Sequence, residues 1–216
     1  VNNAEVLHVE AKEGKIVSVS NGKAAFAADY FIWTAPITIL EDLIYKDKAS
    51  ASNLDYISMV FFNISINERA PTEYRWCYFV DPDIFFPRCS ISNLFSGQNS
   101  PVGKTALTAE ITCRKNSEIW NHPQKYQDRV INDLKKIGFI KDISNIENIH
   151  IEKLEYAYPI YRLGYREKLI ELEDRLKRYS NLVLSGRQGT FWYCNMDHCV
   201  EQGIDIADGL VRGLNE

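Results

Sequence analysis

Residues 185–197 read Ser-Gly-Arg-Gln-Gly-Thr-Phe-Trp-Tyr-Cys-Asn-Met-Asp and join a predicted strand to a predicted helix. A buried strand is predicted over Leu182–Ser185, a short apolar run that ends at a glycine. The helix is predicted to begin near Asp197, because Asn195 and Asp197 are residues that cap helices. The amides at a helix start favour negative charge, and Arg187 offers a donor fork that suits a phosphate. The stretch therefore indicates a cofactor site, although an ordinary ion pair and an ordinary N-cap would give the same residues.

The last helix carries apolar residues at helical spacing, which predicts that one of its faces is buried. These residues are Val200, Ile204, Ala207, Val211 and Leu214.

The rest of the chain alternates between strand and helix patterns, which predicts an α+β fold with a mixed sheet. Turns at residues 13–15 and 21–23 predict a three-stranded meander, and the apolar run Tyr30–Thr34 predicts a buried strand that stops before Pro36. The other predicted strands are Asp55–Ile66, Tyr74–Val80, Arg88–Ser92, Lys104–Cys113 and Ile149–Tyr158. The other predicted helices are Thr38–Tyr45, a long one from an N-cap at Ser117 to Ile137 before Gly138, and Tyr165–Arg178.

Composition and charge exclude several classes of protein. The chain has 216 residues, a net charge of −4 and interspersed charges, so no nucleic-acid footprint is indicated. No apolar run approaches the roughly 20 residues of a membrane span. Five widely spaced cysteines predict neither a disulfide framework nor a zinc site, and reduced thiols suggest a cytoplasmic protein. Four histidines show no triad or ligand spacing, so no catalytic residue and no metal site is predicted.

Several stretches resemble, in order and spacing, the flavin-containing amine oxidase superfamily, in particular its protoporphyrinogen oxidase-like and UDP-galactopyranose mutase-like branch. The run 186–203, GRQGTFWYCNMDHCVEQG, is similar to the C-terminal flavin-contacting motif of that family. Tyr156–Tyr161 matches the aromatic Tyr-Pro segment before it, and Asp29–Pro36 matches the strand that leaves the nucleotide-binding domain. Tyr74–Tyr78 and Pro87–Ser90 resemble the family's substrate-domain sheet.

The resemblance implies a domain arrangement. Residues 1–36 and 159–216 would belong to an FAD-binding domain, and residues 37–158 would form a substrate-binding domain. The family binds FAD through an N-terminal GxGxxG unit, and nothing similar occurs in this sequence. The chain, which opens on Val1, is therefore expected to be a C-terminal fragment that is inactive alone and does not retain FAD.

The resemblance also implies roles for individual residues. Gly186 and Arg187 would approach the pyrophosphate or ribityl of FAD. The amides of Asn195, Met196 and Asp197 would face the pyrimidine edge of the flavin.

Four further side chains would serve the substrate. Tyr193 and Tyr158 would line the substrate side of the flavin ring. Arg88 and Trp76 are expected to contact substrate, although a tryptophan in a sheet is more often a core residue.

The function implied is that of an FAD-dependent oxidoreductase or a sugar-nucleotide isomerase, with a small-molecule substrate such as a sugar nucleotide. A place in cell-surface polysaccharide (LPS) biosynthesis is one expectation, and self-association through the surface that would meet the missing domain is another. The alternatives are a non-catalytic binding or scaffold module that kept the fold, and an unrelated α+β domain.

Overall fold

The structure, a computed structural model, describes residues 2, 4–46, 52–69 and 72–213. Leu214, which was predicted on the last helix, lies outside these ranges. The strands are β1 His8–Lys12, β2 Lys15–Ser20, β3 Ala25–Phe26, β4 Phe31–Trp33, β5 Asp55–Ile66, β6 Trp76–Tyr78, β7 Arg88–Ile91, β8 Thr105–Cys113, β9 Ile146–Ile160 and β10 Leu182–Leu184. The helices are α1 Ile37–Tyr45, α2 Glu118–Asn121, α3 Gln127–Lys136, α4 Tyr165–Leu176, α5 Gly186–Gly189 and α6 Met196–Gly213.

The chain divides into two compact units. Each unit contains both helices and strands, as the predicted α+β class requires. One unit combines Val1–Tyr56 with Tyr158–Glu216, and the other is Ile57–Ala157. The assignment of residues 37–158 to a substrate-binding domain, and of both chain ends to an FAD-binding domain, stays a prediction.

The first unit contains the predicted meander, with strand order β1-β2-β3. Its first hairpin turns at Glu13 and Gly14, whose φ angles of 50° and 75° are those that a tight two-residue turn requires. Buried Asn181 holds the meander, because its side chain accepts a hydrogen bond from the Ile16 amide and donates one to the Ile16 carbonyl, both at 2.8 Å. This clamp satisfies both backbone groups of a buried strand residue.

A second, parallel sheet of the first unit pairs β4 with β10, with Leu182 opposite Phe31 and Leu184 opposite Trp33. The prediction that the β4 run is buried is wrong, because Ile32 is half exposed. The strand β10, which was also predicted to be buried, is half-buried along Leu182–Leu184. An apolar run shows that a strand is suited to burial, but packing partners on both faces are needed to achieve it.

The second unit is built on a five-stranded sheet of order β6-β7-β8-β5-β9. In β5, alternation sends Phe62, Ile64 and Ile66 into the core, where each is at most 1% exposed. Helix α3 covers that face with fully buried Val130 and Leu134. The opposite face carries polar and aromatic side chains.

The long helix predicted from Ser117 is interrupted. It consists of α2, a 3₁₀ turn over Pro123–Tyr126, and α3. Pro123 has no amide to donate and restricts His122, whose φ and ψ of −133° and 54° are not helical. The predicted C-terminal signal is present, since Gly138 adopts the left-handed φ of 79°.

Helix α6 begins where the sequence predicts, but the prediction that Val200, Ile204, Ala207 and Val211 face inward is wrong. Val200, Ile204 and Val211 are 62%, 58% and 59% exposed, and Ala207 is exposed as well. The partly covered side chains are instead those of His198, Cys199, Gln202, Ile206 and Leu210.

Two contacts are made by the face of α6 that is covered. The Gly186 amide donates to the Gln202 side chain at 2.7 Å, and the sulfurs of Cys199 and Cys194 lie 3.6 Å apart. The covered face of α6 therefore makes a polar and a thiol contact, while Val200, Ile204 and Val211 face outward.

Candidate functional site

The site begins with a tight turn directly after β10. Ser185 is still extended, whereas Gly186 has a φ of 74°, which favours glycine. The Gly186 carbonyl accepts hydrogen bonds from the Thr190 amide at 3.0 Å and from its hydroxyl at 2.8 Å. The first glycine of the motif therefore reverses the chain at the strand end.

Gly189, three residues later, permits a close backbone approach. A Cβ atom at this position would lie far inside contact distance of the Trp33 carbonyl oxygen and 3.3 Å from the Thr34 Cα. The Gly-Arg-Gln-Gly spacing therefore reflects two separate requirements, a left-handed turn at Gly186 and an absent side chain at Gly189.

Arg187 is held by the motif itself. Its Nε donates to the Cys194 carbonyl oxygen at 2.9 Å, and its Nη2 donates to the same oxygen. Its guanidinium also lies over the rings of Tyr158 and Tyr193, at 4.8 and 5.1 Å from their centroids. The structure thus brings three predicted site residues together and uses part of the arginine fork within the protein.

Tyr193 is oriented by a second tyrosine that the sequence analysis did not single out. The Tyr193 amide donates to the Tyr161 hydroxyl at 2.6 Å, and the Tyr161 ring stacks on Tyr165 with centroids 4.4 Å apart. The rings of Tyr158 and Tyr193 are 5.1 Å apart and tilted by 44°. The predicted substrate-side tyrosines therefore form one aromatic cluster around Arg187.

The start of α6 carries the Asn-Met-Asp segment. Asn195 is the N-cap, because its carbonyl accepts from the Cys199 amide at 3.2 Å, and its own amide donates to His198 Nδ1 at 3.4 Å. This return bond from the third helical residue is half of a capping box. Met196 is 86% exposed, and within the described chain the Met196 and Asp197 amides have no protein partner.

The two remaining predicted substrate residues lie in the second unit. Trp76 is not a core residue, since it is half exposed and stacks on Phe95 with centroids 5.6 Å apart. Arg88 lies between Tyr78 and Glu110 in the register of the sheet, with its guanidinium 5.7 Å from the Tyr78 ring centroid.

Arg88 and Glu110 form an ion pair on this polar face. Arg88 Nε is 3.2 Å from Glu110 Oε1, but this buried nitrogen lacks the alignment of a hydrogen bond. Burial raises the pKa of Glu110, and the neighbouring arginine opposes that shift. Arg88 therefore has an acidic neighbour within the sheet.

Four residues that build the site were given no individual role from the sequence, namely Gly189, Gln202, Tyr161 and Glu110, although the first three lie within the motif stretches that carry the resemblance. Gly189 carried a signal, since a second glycine after a strand-ending glycine is typical of close packing. The others are ordinary polar or aromatic residues whose partners lie far along the chain.

Two kinds of feature are absent from the described ranges. They contain no cluster of three or more His, Cys, Asp or Glu residues suited to a metal ion. None of their helices combines the length and apolar character needed to cross a membrane.

Comparison with known proteins identifies the fold. Neither the protein-family models nor the curated proteins include a match to the sequence. A reduced UDP-galactopyranose mutase has a similar structure, with a TM-score of 0.80 and 21% identity over 98% of this chain and 46% of that one. A proposed protoporphyrinogen oxidase from Exiguobacterium sp. 255-15 follows at 0.71, with 17% identity over 96% of this chain and 46% of its own.

An oxidoreductase from Methanosarcina mazei is also similar, with a TM-score of 0.56 and 12% identity over 86% of this chain and 44% of that one. These likenesses confirm, at the level of the fold, the resemblance to flavin amine oxidase-like proteins that the motifs predicted. The chain spans less than half the length of each of these proteins.

Proposed function

We propose that the chain is the C-terminal portion of an FAD-dependent oxidoreductase or sugar-nucleotide isomerase, and that the start of α6 contacts the flavin. The observation that carries this proposal is the shared fold with UDP-galactopyranose mutase over 98% of the chain, together with the exposed Asn-Met-Asp turn. FAD would supply the electron-transfer chemistry when bound. The protein residues would bind it and set its electrostatics.

The geometry of the α6 start fits the acceptor edge of a flavin. The Met196 and Asp197 amides lack protein partners among the described residues, and they lie at the positive end of an 18-residue helix. The side chain of Met196 is exposed, so an approaching ring meets no covering residue of the first unit. The free amides and the helix dipole together favour binding of a flavin edge that carries oxygen and nitrogen acceptors.

In this proposal the main role of Gly186 and Arg187 is structural rather than direct binding of phosphate. The Gly186 amide is already bound to Gln202, and two Arg187 donors serve the Cys194 carbonyl. We therefore assign both residues to shaping the turn that presents α6, with the remaining donors of Arg187 available to the ribityl or pyrophosphate.

We assign substrate contact to Tyr158 and Tyr193 in the first unit and to Arg88 and Trp76 in the second. The exposed rings of Tyr193 and Trp76 and the half-buried ring of Tyr158 suit the base and sugar of a sugar nucleotide, because aromatic rings stack on them, and a guanidinium suits its phosphates. A role in LPS biosynthesis is consistent with the sugar-nucleotide mutase among the similar structures.

We further propose that a nucleotide-binding half covers the apolar stripe of α6. The stripe, defined by Met196, Val200, Ile204 and Val211, is more than half exposed at every position. A contiguous apolar surface of this kind marks an interface. In the 216-residue chain alone, two copies would cover each other's stripes and the protein would self-associate.

A scaffold module that kept the fold but lost the cofactor is the alternative function. The internal use of Arg187 and of the Gly186 amide favours it, because the amide and part of the arginine fork have partners without a ligand.

Flavin binding distinguishes the two functions. A longer gene product that carries a GxGxxG unit should purify with a flavin absorbance band, whereas the 216-residue chain should not bind FAD at micromolar concentration. The reason is that the adenosine and most pyrophosphate contacts lie outside it, and each tenfold in affinity is only about 1.4 kcal/mol. A colourless longer protein that takes up no FAD would favour the scaffold.

A further inference from the structure

Two cysteine thiols lie in contact at the start of α6. The sulfurs of Cys194 and Cys199 are 3.6 Å apart, and neither cysteine is in a disulfide. Since Asn195 is the N-cap, Cys194 lies one residue before the cap and Cys199 is the fourth residue of the helix. Hydrophobic side chains at these two positions commonly pack together as a staple that sets how the chain enters a helix. Here both halves of the staple are thiols.

The two thiols differ in access to solvent. Cys194 is buried, with 3% of its surface exposed, whereas Cys199 is half-buried. Burial and the neighbouring Cys199 thiol raise the pKa of Cys194. An oxidant from solution therefore meets Cys199 first, and Cys194 is placed to react with whatever forms there.

We propose that Cys194 and Cys199 are a redox-active dithiol that closes to a disulfide and covalently locks the start of α6. Only a small movement is needed, because the sulfurs must approach from 3.6 Å to a bond of about 2.05 Å. The five-residue separation keeps the two positions together whenever the first turn of the helix is formed. This proposal does not depend on flavin binding.

The reaction is balanced with a low-molecular-weight disulfide, such as glutathione disulfide, as the oxidant. The Cys199 thiolate attacks one sulfur, forms a mixed disulfide and releases one glutathione thiolate. The Cys194 thiolate then attacks the Cys199 sulfur and expels the second glutathione. The protein loses two electrons and two thiol protons, and the oxidant becomes two molecules of glutathione.

The lock acts on the site through the Cys194 carbonyl. That oxygen accepts both hydrogen bonds from Arg187, which in turn lies over the two tyrosine rings. Tying the Cys194 side chain to α6 therefore restrains the arginine clamp and the amides of the helix start together.

Mass spectrometry of the purified protein in glutathione redox buffers tests the proposal. Trypsin cleaves after Arg187 and Arg212, so both cysteines fall in the single peptide 188–212. Oxidation should make this peptide lighter by two hydrogen atoms, while buried Cys113 in peptide 105–114 stays reduced in the same sample. Glutathione disulfide is preferred to peroxide because peroxide would also oxidise exposed Met196 in the same peptide.

Single serine variants establish the order of events. Cys194→Ser should accumulate glutathione on Cys199, because no thiol remains to expel it. Cys199→Ser should leave Cys194 unmodified. Hydrogen exchange of the residue 199 amide, which donates to the Asn195 carbonyl, should slow on oxidation of the unmodified protein and remain unchanged in either variant.

Two results would overturn the proposal. One is a stable glutathione adduct on Cys199 in the protein with both cysteines, since the buried thiol would then be unable to reach it. The other is a peptide 188–212 that stays reduced while Cys113 reacts, since the pair would then be packing residues only. If a serine variant fails to fold, Cys194→Ala supplies the same trapping test.

Discussion

Arg187 donates from Nε and Nη2 to one acceptor, the carbonyl oxygen of Cys194 seven residues further along the chain. This pair closes the loop between the strand β10 and the helix α6. It also gives the predicted cofactor residue a structural role, because the arginine positions the chain that enters the helix.

The clamp predicts a measurable stability difference between Arg187→Lys and the native protein. Lysine keeps the charge but cannot give two parallel donors to one oxygen or lie flat over the rings of Tyr158 and Tyr193. We expect the free energy of unfolding in urea to fall by about 1–3 kcal/mol. Arg212→Lys, on the exposed last turn of α6, is the matched control and should change it little. Equal effects would mean that the guanidinium geometry is unimportant.

Two glycine-to-alanine changes should have opposite signs. Gly189→Ala places a methyl group against the Trp33 carbonyl, so the backbone must shift, at a cost of about 1–3 kcal/mol. Gly203→Ala has no atom within 4 Å of the new methyl group and lies within α6. It should stabilise the protein by about 0.4–1 kcal/mol. Thermal and urea unfolding of both variants would measure these changes. A Gly189→Ala variant whose free energy of unfolding equals that of the native protein would contradict the close approach at Gly189.

The buried ion pair predicts a pH dependence of stability. The pKa of Glu110 is raised above its ordinary value of 4.5, so the folded protein binds this proton more tightly than the unfolded chain does. The stability contribution of Glu110 is therefore fully present below pH 4.5 and is lost as pH rises through the folded pKa.

Glu110→Gln should remove that loss. As pH increases from below 4.5 toward neutrality, the free energy of unfolding of the native protein should fall relative to that of the variant. Arg88→Met should move the loss to higher pH, because the charge that opposes the raised pKa is gone. A pH-independent difference between the native protein and Glu110→Gln would contradict the shift.

The proposed contact between α6 and the flavin predicts a change in midpoint potential in a longer, flavin-loaded protein. Met196→Pro deletes one free amide at the helix start, whereas Met196→Leu keeps it, and proline is tolerated in the first turn. We expect the proline variant to lower the flavin potential by about 10–40 mV, from a helix-end contribution of about 0.3–2 kcal/mol and a two-electron couple. Equal potentials in two folded, flavin-loaded variants would place the flavin elsewhere.

Local chain chemistry was sufficient to predict most elements. The hairpin at Glu13 and Gly14, the alternating strand β5, the turn at Gly186 and the start of α6 all depend on backbone preferences and on the period of apolar residues. Those preferences act over a few neighbouring residues, so the sequence displays them directly. The interruption at Pro123 had the same kind of signal, which the apolar spacing of the long helix concealed.

The motifs in residues 186–203 also predicted the fold, which the chain shares with a UDP-galactopyranose mutase and a proposed protoporphyrinogen oxidase. What the sequence could not determine is which partner each side chain takes. The inner face of α6 holds Gln202 and Cys199 while Val200 and Ile204 are exposed. Rotating a helix about its axis leaves its local hydrogen bonds intact, so only contacts with distant residues select the buried face.

The same reason separates the predicted role of Arg187 from its observed one. A guanidinium after a strand suits a phosphate, a carbonyl or an aromatic ring equally well as far as its own chemistry is concerned. The choice depends on where Cys194, Tyr158 and Tyr193 come to lie. The sequence alone determined that a donor fork stands at the end of β10, and the tertiary structure decided its acceptor, because that acceptor is positioned by packing between segments far apart in the chain.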